Sequence, residues 1–147
     1  MTALYSAIRS KVKELIVGLG LTGIPDANIV ETKLPWARNM VMPGVRVAFA
    51  TDSFYPWTNE AYKTEYGIWV VYARVSNQNL TENLDAPNQW RQDITRLFQS
   101  RAVLSQFGIA GVYNSRVEAG TPIWDSAFAA QHDVGALKVI VTATEPR

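Results

Sequence analysis

The only histidine of the chain, His132, is followed by Asp133, and this dipeptide is the first candidate for acid–base chemistry. A catalytic triad would need a serine held beside the histidine, and the sequence alone places none there. One histidine also cannot form a histidine-rich metal site. We therefore expect a solvated histidine in a polar loop rather than a catalytic one.

The acidic residues give no clearer sign of catalysis. Glycoside hydrolysis needs two carboxyl groups facing each other across a cleft. The acidic residues that could form such a pair are scattered, mainly around predicted loops: Asp52, Glu60, Glu65, Glu118 and Asp125. These residues leave an all-oxygen Ca²⁺ or Mg²⁺ site open, but the sequence contains no acidic loop of the EF-hand type.

Glycine and cysteine usage removes further classes of site. Gly18, Gly20 and Gly23 are spaced like a phosphate-binding loop, but they follow a helix instead of joining a strand to a helix. We interpret them as the end of that helix. The chain has no cysteine, which excludes disulfides, Cys-based zinc sites and thiol nucleophiles. We predict no catalytic residue, no metal and no cofactor, and hence that the protein is not an enzyme.

Length and charge fit one globular domain, residues 1–147. The chain is 48% hydrophobic and carries a formal net charge of +1. That balance disfavours nucleic-acid binding, which usually goes with clustered Lys and Arg. Charges at Arg9, Lys11, Lys13 and Glu14 interrupt the apolar N-terminus, so we expect a soluble protein without a secretory signal or membrane span.

Residues 66–76, YGIWVVYARVS, are the strongest strand signal and predict the centre of a sheet. Ile68 and Tyr72 fall on one face, and Trp69 and Val71 fall on the other. Because both faces are apolar, both need cover. Helices can cover one face. We expect part of the second face, around Trp69 and Val71 or around Ile68 and Tyr72, to lie near a subunit interface.

The remaining periodicities predict two helices and several strands around this centre. The predicted helices are residues 3–19 and 87–101, and the predicted strands are residues 28–34, 45–49, 112–119 and 137–145. Their order indicates an α+β fold. We expect a mostly antiparallel four- to five-stranded sheet with two helices packed on one face and a long aromatic hairpin loop.

That loop is predicted at residues 50–65, ATDSFYPWTNEAYKTE, which join two strong strands and have no clear periodicity. Its aromatic residues either pack back onto the domain's own core or form a contact arm, since Tyr and Trp are enriched in interface cores. The subunit-interface candidates are Phe54, Tyr55, Trp57, Tyr62, Trp69 and Trp124.

The layout of the whole chain resembles the small head–tail joining proteins of tailed bacteriophages, and especially their tail terminator (tail completion) proteins. The resemblance rests on an amphipathic N-terminal helix followed by PGVRVAF, a long hairpin, YGIWVVYARV, the helix NQWRQDITRLF, the mixed strand VYNSRVEAG and the closing strand LKVIVTATEPR. It covers nearly the full chain.

This resemblance implies a subunit of a homo-oligomeric ring, typically a hexamer, that caps the tail tube, stops its elongation and joins it to the head connector. The implied partners are further copies of the chain, the tail tube protein and the connector or neck proteins. Genomic DNA would pass through the lumen without specific binding. The implied location is the virion tail or neck, assembled in the host cytoplasm.

Two kinds of alternative stay open. Within the same class, the protein could be a head-completion or neck connector protein, or a tail-tube protein. In a different class, it could be a small-molecule binding domain or an enzyme of α+β fold, which would need a concave pocket with converging polar groups.

Overall fold

The computed structural model describes residues 3–35, 40–56, 61–75, 85–120 and 132–146. Among them the chain forms a single mixed sheet and three α-helices. In chain order the elements are α1 (Leu4–Gly18), a 3₁₀ turn (Asp26–Asn28), β1 (Ile29–Thr32), β2 (Gly44–Pro56), β3 (Ala61–Val75), α2 (Asp85–Gln99), α3 (Val103–Phe107), β4 (Val112–Ala119) and β5 (His132–Pro146). The predicted α+β class is therefore confirmed.

The five strands are arranged in the order β1-β2-β3-β5-β4, which places the predicted central strand at the centre. The pairs β2–β3, β3–β5 and β5–β4 are antiparallel, whereas β1 pairs with β2 in parallel. The sheet is therefore mixed, and the expected antiparallel arrangement does not hold at this edge. The long connection from β1 to β2 lets the chain return and run in the same direction, which a tight hairpin cannot do.

Much of the segment predicted as a loop, residues 50–65, is strand. β2 pairs with β3 as far as Pro56 opposite Tyr62, after a bulge between Phe49 and Asp52. β3 in turn pairs with β5 along its whole length, from Ala61 to Val75. The pairing of β3 with β5 joins residues that are far apart in the chain, so local periodicity does not reveal it. Residues 57–60, the middle of the predicted loop, lie outside the described residues.

The three helices cover one face of the sheet with an apolar core. α1 buries Ile8, Val12 and Ile16, and α2 buries Trp90, Ile94 and Phe98. Each set recurs every four residues, so each helix turns a single stripe towards the sheet. The five-residue α3, which the sequence did not predict, adds Val103 and Phe107 to the same cluster. Its shortness explains why no periodic signal marked it.

We call the opposite side of the sheet the helix-free face. The residues that define it are Arg46, Ala48, Trp69, Val71, Lys138 and Arg116, which the strand register places on one side. Its middle is nevertheless buried: Ala48 and Val71 are 0% exposed. Met40 packs on this face against Val71 and Ala73. The chain itself therefore covers Val71, and Ile68 and Tyr72 lie under the helices. Of the four residues expected near a subunit interface, only Trp69 keeps part of its side chain exposed.

Candidate interaction surface

The six predicted interface residues do not form one surface among the described residues. Trp57 and Trp124 lie outside the described residues, as do the side chains of Phe54 and Tyr55, whose backbones belong to β2. The two that remain are on β3. Tyr62 is paired with Glu145 and Trp69 with Lys138, so they are seven residues apart and on opposite faces. Seven residues of strand span roughly 23 Å.

Trp69 is half-buried at the middle of the helix-free face. The ammonium nitrogen of Lys138 lies 5.9 Å from the centre of its ring. The ring also lies against Gly120, where a β-carbon would come within 2.7 Å of the tryptophan. A residue larger than glycine at the end of β4 would therefore have to push the tryptophan ring aside. Trp69 is held from two sides and presents only part of its ring to a partner.

An ion-pair cluster covers the outer half of the helix-free face. Arg116 of β4 donates two hydrogen bonds, each 3.2 Å long, to the two carboxylate oxygens of Glu65 on β3. Glu118 approaches the same guanidinium at 3.5 Å. The hydrogen bond to Glu65 and the nearby carboxylates raise the pKa of Arg116 against the opposing effect of its burial. Because β5 lies between β3 and β4, this contact ties three strands together.

The sequence held only a weak signal for this cluster. Arg116 and Glu118 alternate with Ser115 and Val117, which indicates one polar side of β4. Their partner Glu65 lies 51 residues from Arg116 in the chain and was predicted to be in a loop. Arg46, at the other end of the face, is half-buried, and that burial lowers its pKa. The charged side chains of the helix-free face therefore help to shield its apolar residues from solvent.

A hydroxyl–carboxylate cluster lies where β3 and β5 continue beyond the first turn of α1. The hydroxyls of Tyr66 and Thr64 both donate to one carboxylate oxygen of Glu145, each over 2.7 Å. Thr64 is 2% exposed and Tyr66 is 7% exposed. Burial, followed by the hydrogen bond to Glu145 and its charge, raises the pKa of Tyr66 well above its usual range.

Aromatic packing anchors α1 beside this cluster. The Tyr5 ring centre lies 4.5 Å from that of Phe49 and 4.9 Å from that of Tyr66. The Tyr5 hydroxyl donates to the carbonyl of Gly67. Burial and then the charge of Asp52 raise the pKa of Tyr5 to about 12. The base of the long strands is thus fixed to the helix layer.

The residues considered first for chemistry are engaged in structural contacts or lie apart. Asp133 accepts a 2.8 Å hydrogen bond from Arg74. His132 was expected in a polar loop but is the half-buried first residue of β5. These residues line an open cavity of about 460 Å³ together with Tyr72 and Asn88. Glu65 and Glu118 both contact Arg116, and Glu60 and Asp125 lie outside the described residues.

Two further features concern the described part of the chain as a whole. No group of three acidic or histidine side chains there lies close enough together to hold a metal ion. None of the helices in the same ranges is both long and apolar enough to cross a membrane.

No protein-family model and no curated protein matches the chain.

Proposed function

We propose that this chain is a structural subunit of a tailed-phage virion, resembling a tail terminator, that forms a ring at the end of the tail tube. In this role it stops tube elongation and joins the tube to the head connector. Its partners are further copies of itself, the tube protein and the connector or neck proteins, and it acts by binding without a chemical reaction. DNA passes through the lumen without specific binding.

The observation that carries this proposal is the length of the three central strands. β2, β3 and β5 have 13, 15 and 15 residues, whereas the edge strands β1 and β4 have 4 and 8. Beyond Tyr66, on which Tyr5 packs, β3 continues back to Ala61. The sequence places Phe54, Tyr55, Trp57 and Tyr62 at this end of β2 and β3 or in the residues between the two strands. An extended end of two paired strands is suited to contacts with a neighbouring subunit or the tube.

The clusters at the base of this extension support the same role. Glu145, Thr64 and Tyr66 connect β3 to β5, and Arg116 and Glu65 connect β4 to β3 across β5. A ring subunit that transmits contacts to neighbours above and beside it needs strands that keep their relative positions. The sheet then acts as the rigid part and its extended end as the contact part.

Assembly can be tested directly with the purified full-length chain. Light scattering should give a ring-sized oligomer, and negative-stain images should show annuli that attach to one end of isolated tail tubes. A chain that stays monomeric over a wide concentration range and leaves tube ends uncapped would contradict the proposal. Self-polymerisation into long tubes would instead favour the tail-tube alternative. Neighbouring tail-tube and tape-measure genes are a further expectation.

A shortened variant tests the extended end itself. Replacing residues 55–63 by Asn-Gly leaves the paired residues Phe54 and Thr64 on either side of a two-residue turn. It also keeps the Thr64 hydroxyl bonded to Glu145. The variant should retain the circular dichroism of the parent and lose tube capping. A variant that caps tubes as well as the parent would remove this part of the proposal.

A further inference from the structure

Exposed apolar side chains are concentrated at the two edges of the sheet. Within the described ranges, the exposed large apolar residues are Val30 (39%), Leu34 (47%), Val41 (68%), Val75 (63%) and Tyr113 (39%). Val30 lies in the edge strand β1, and Leu34 follows the end of that strand. Tyr113 lies in β4, the opposite edge. Of this set, only Val75 belongs to the central strand.

Val41 also belongs to the β1 edge. It precedes β2, whose first residue, Gly44, lies close to the carbonyl oxygens of both Val41 and Asn28. Asn28 comes directly before β1, and its side-chain amide donates to the carbonyl of Pro43. Val41 and Leu34 therefore flank the two ends of β1, with Val30 between them. These three side chains form what we call the β1-edge patch.

We propose that the ring closes edge to edge, with the β1-edge patch of one copy bound along β4 of the next copy. This inference rests on the proposed ring function and names the surfaces that would form the ring. The contact is heterologous, because each copy uses one edge to bind and offers the other edge to a third copy. Such contacts close into a ring when the rotation per subunit allows it.

Strand directions favour this joint. β1 runs parallel to β2, and the three antiparallel pairs that follow leave β4 running opposite to β1. A rotation about an axis parallel to the strands preserves every direction. The β1 of the next copy therefore lies antiparallel to β4, and the helices of every copy stay on the same side of the sheet. The two strands that form the sheet edges among the described residues can then pair without any crossover.

Backbone pairing alone cannot hold such a joint. β1 has 4 residues, and one end is already bound, since Arg9 donates to the carbonyl of Thr32. A stable interface buries about 800 Å² on each partner. The apolar side chains of the β1-edge patch and Tyr113 must supply much of that area. The Arg116–Glu65 pair helps by holding β4 against the rest of the sheet.

Cysteine cross-linking tests the joint, because the chain contains no cysteine of its own. Val30→Cys and Asn114→Cys place one thiol on each edge, and Asn114 is exposed on β4. Treatment with a flexible bismaleimide should convert the double variant into a ladder of cross-linked chains. Mixing the two single variants should give dimers only, and each single variant alone should give none. Val30→Cys with Gln92→Cys, on the exposed side of α2, is the matched control.

The outcomes separate this inference from the proposed function. Annuli in micrographs without the Val30–Asn114 ladder would overturn the edge joint and leave the ring intact. Dimers from either single variant alone would indicate an isologous contact and would also overturn it. A monomer under all conditions would overturn both.

Charge substitution gives an independent test. Val30→Lys should raise the apparent dissociation constant of the oligomer by about tenfold or more, because it places a charge in the joint. Val75→Lys, a substitution of an equally apolar and more exposed side chain away from both edges, should leave the oligomer unchanged. Equal effects of the two substitutions would contradict the assignment.

Discussion

The two faces of the sheet are covered in different ways. The helix face is sealed by three helices whose buried side chains belong to one large apolar cluster. The helix-free face has a small apolar cluster around Met40 and Val71, and beyond it a layer made of Trp69, Lys138 and the Arg116–Glu65 pair. One face therefore provides most of the stability, and the other carries the charges and the partly exposed aromatic ring.

The largest expected effect is the loss of stability when a buried side chain is truncated in one of the two apolar clusters. Phe98 is 0% exposed and packs against Phe107, so Phe98→Ala should lower the free energy of unfolding by about 3–5 kcal/mol. Met40→Ala, in the smaller cluster and at 8% exposure, should cost about 2 kcal/mol. Urea unfolding of both variants measures the difference. A larger loss for Met40→Ala would contradict the conclusion that the helix face provides most of the stability.

Each face also has a glycine beneath an aromatic ring, which allows a matched comparison. A β-carbon at Gly135 would overlap the ring and hydroxyl of Tyr72, which is 5% exposed and bonded to Arg91. Gly135→Ala should therefore cost about 2–3 kcal/mol. Gly120→Ala meets Trp69, which is less buried and can tilt, so its cost should be about 1 kcal/mol. Thermal unfolding of the two variants side by side checks this order.

Buried tyrosines on the helix side of the sheet should also determine how the free energy of unfolding changes at alkaline pH. Because the pKa of Tyr66 in the folded chain lies above its unfolded value of about 10, the unfolded chain loses this proton first. Stability should be retained below pH about 10 and fall as the pH rises further. Tyr66→Phe should make that fall shallower, although it loses about 1 kcal/mol at neutral pH with the bond to Glu145.

Unfolding free energies at a series of pH values between neutral and strongly alkaline would test this. Tyr5→Phe is the companion variant, because the pKa of Tyr5 is also raised, to about 12. Identical pH slopes for the parent and both variants would rule out the buried tyrosines as the cause.

The smallest expected effect concerns the ion pair on the helix-free face. The side chains of Arg116 and Glu65 are 40% and 23% exposed, so solvent screens their attraction. Glu65→Gln should cost about 0.5–1 kcal/mol, and less at high salt. Glu118→Gln, at the longer 3.5 Å contact, is the control and should cost less still. A loss that is unchanged by salt would point to packing instead of charge.

The sequence predicted the helices and the central strand well for a physical reason. The stripes of α1 and α2, with Ile8, Val12 and Ile16 or Trp90, Ile94 and Phe98, are regular repeats that any reader of the chain can find. β4 was predicted at its observed bounds, because Pro-free alternation between two glycine-containing stretches marks it. The missed α3 and the missed ends of β2 and β3 lack such repeats.

The candidate site was less predictable. Trp69 and Tyr62 are close in sequence and similar in chemistry, yet alternation along β3 puts them on opposite faces. The Arg116–Glu65 and Tyr66–Glu145 contacts join residues 51 and 79 positions apart, and no local pattern links them. Composition and the whole-chain resemblance suggested a binding protein. They did not indicate which residues share a surface, because the contacting residues lie far apart in the chain.

The sequence by itself determined α1, α2, β4 and the middle of β3, and the apolar side of each of the two helices, because periodicity is a local property of the chain. Only the tertiary structure decided that β1 runs parallel to β2, that Met40 covers Val71, and that Arg116 and Glu65 meet across β5. These outcomes depend on which distant segments pack together, and the free energy of such contacts is not encoded in the spacing of neighbouring residues.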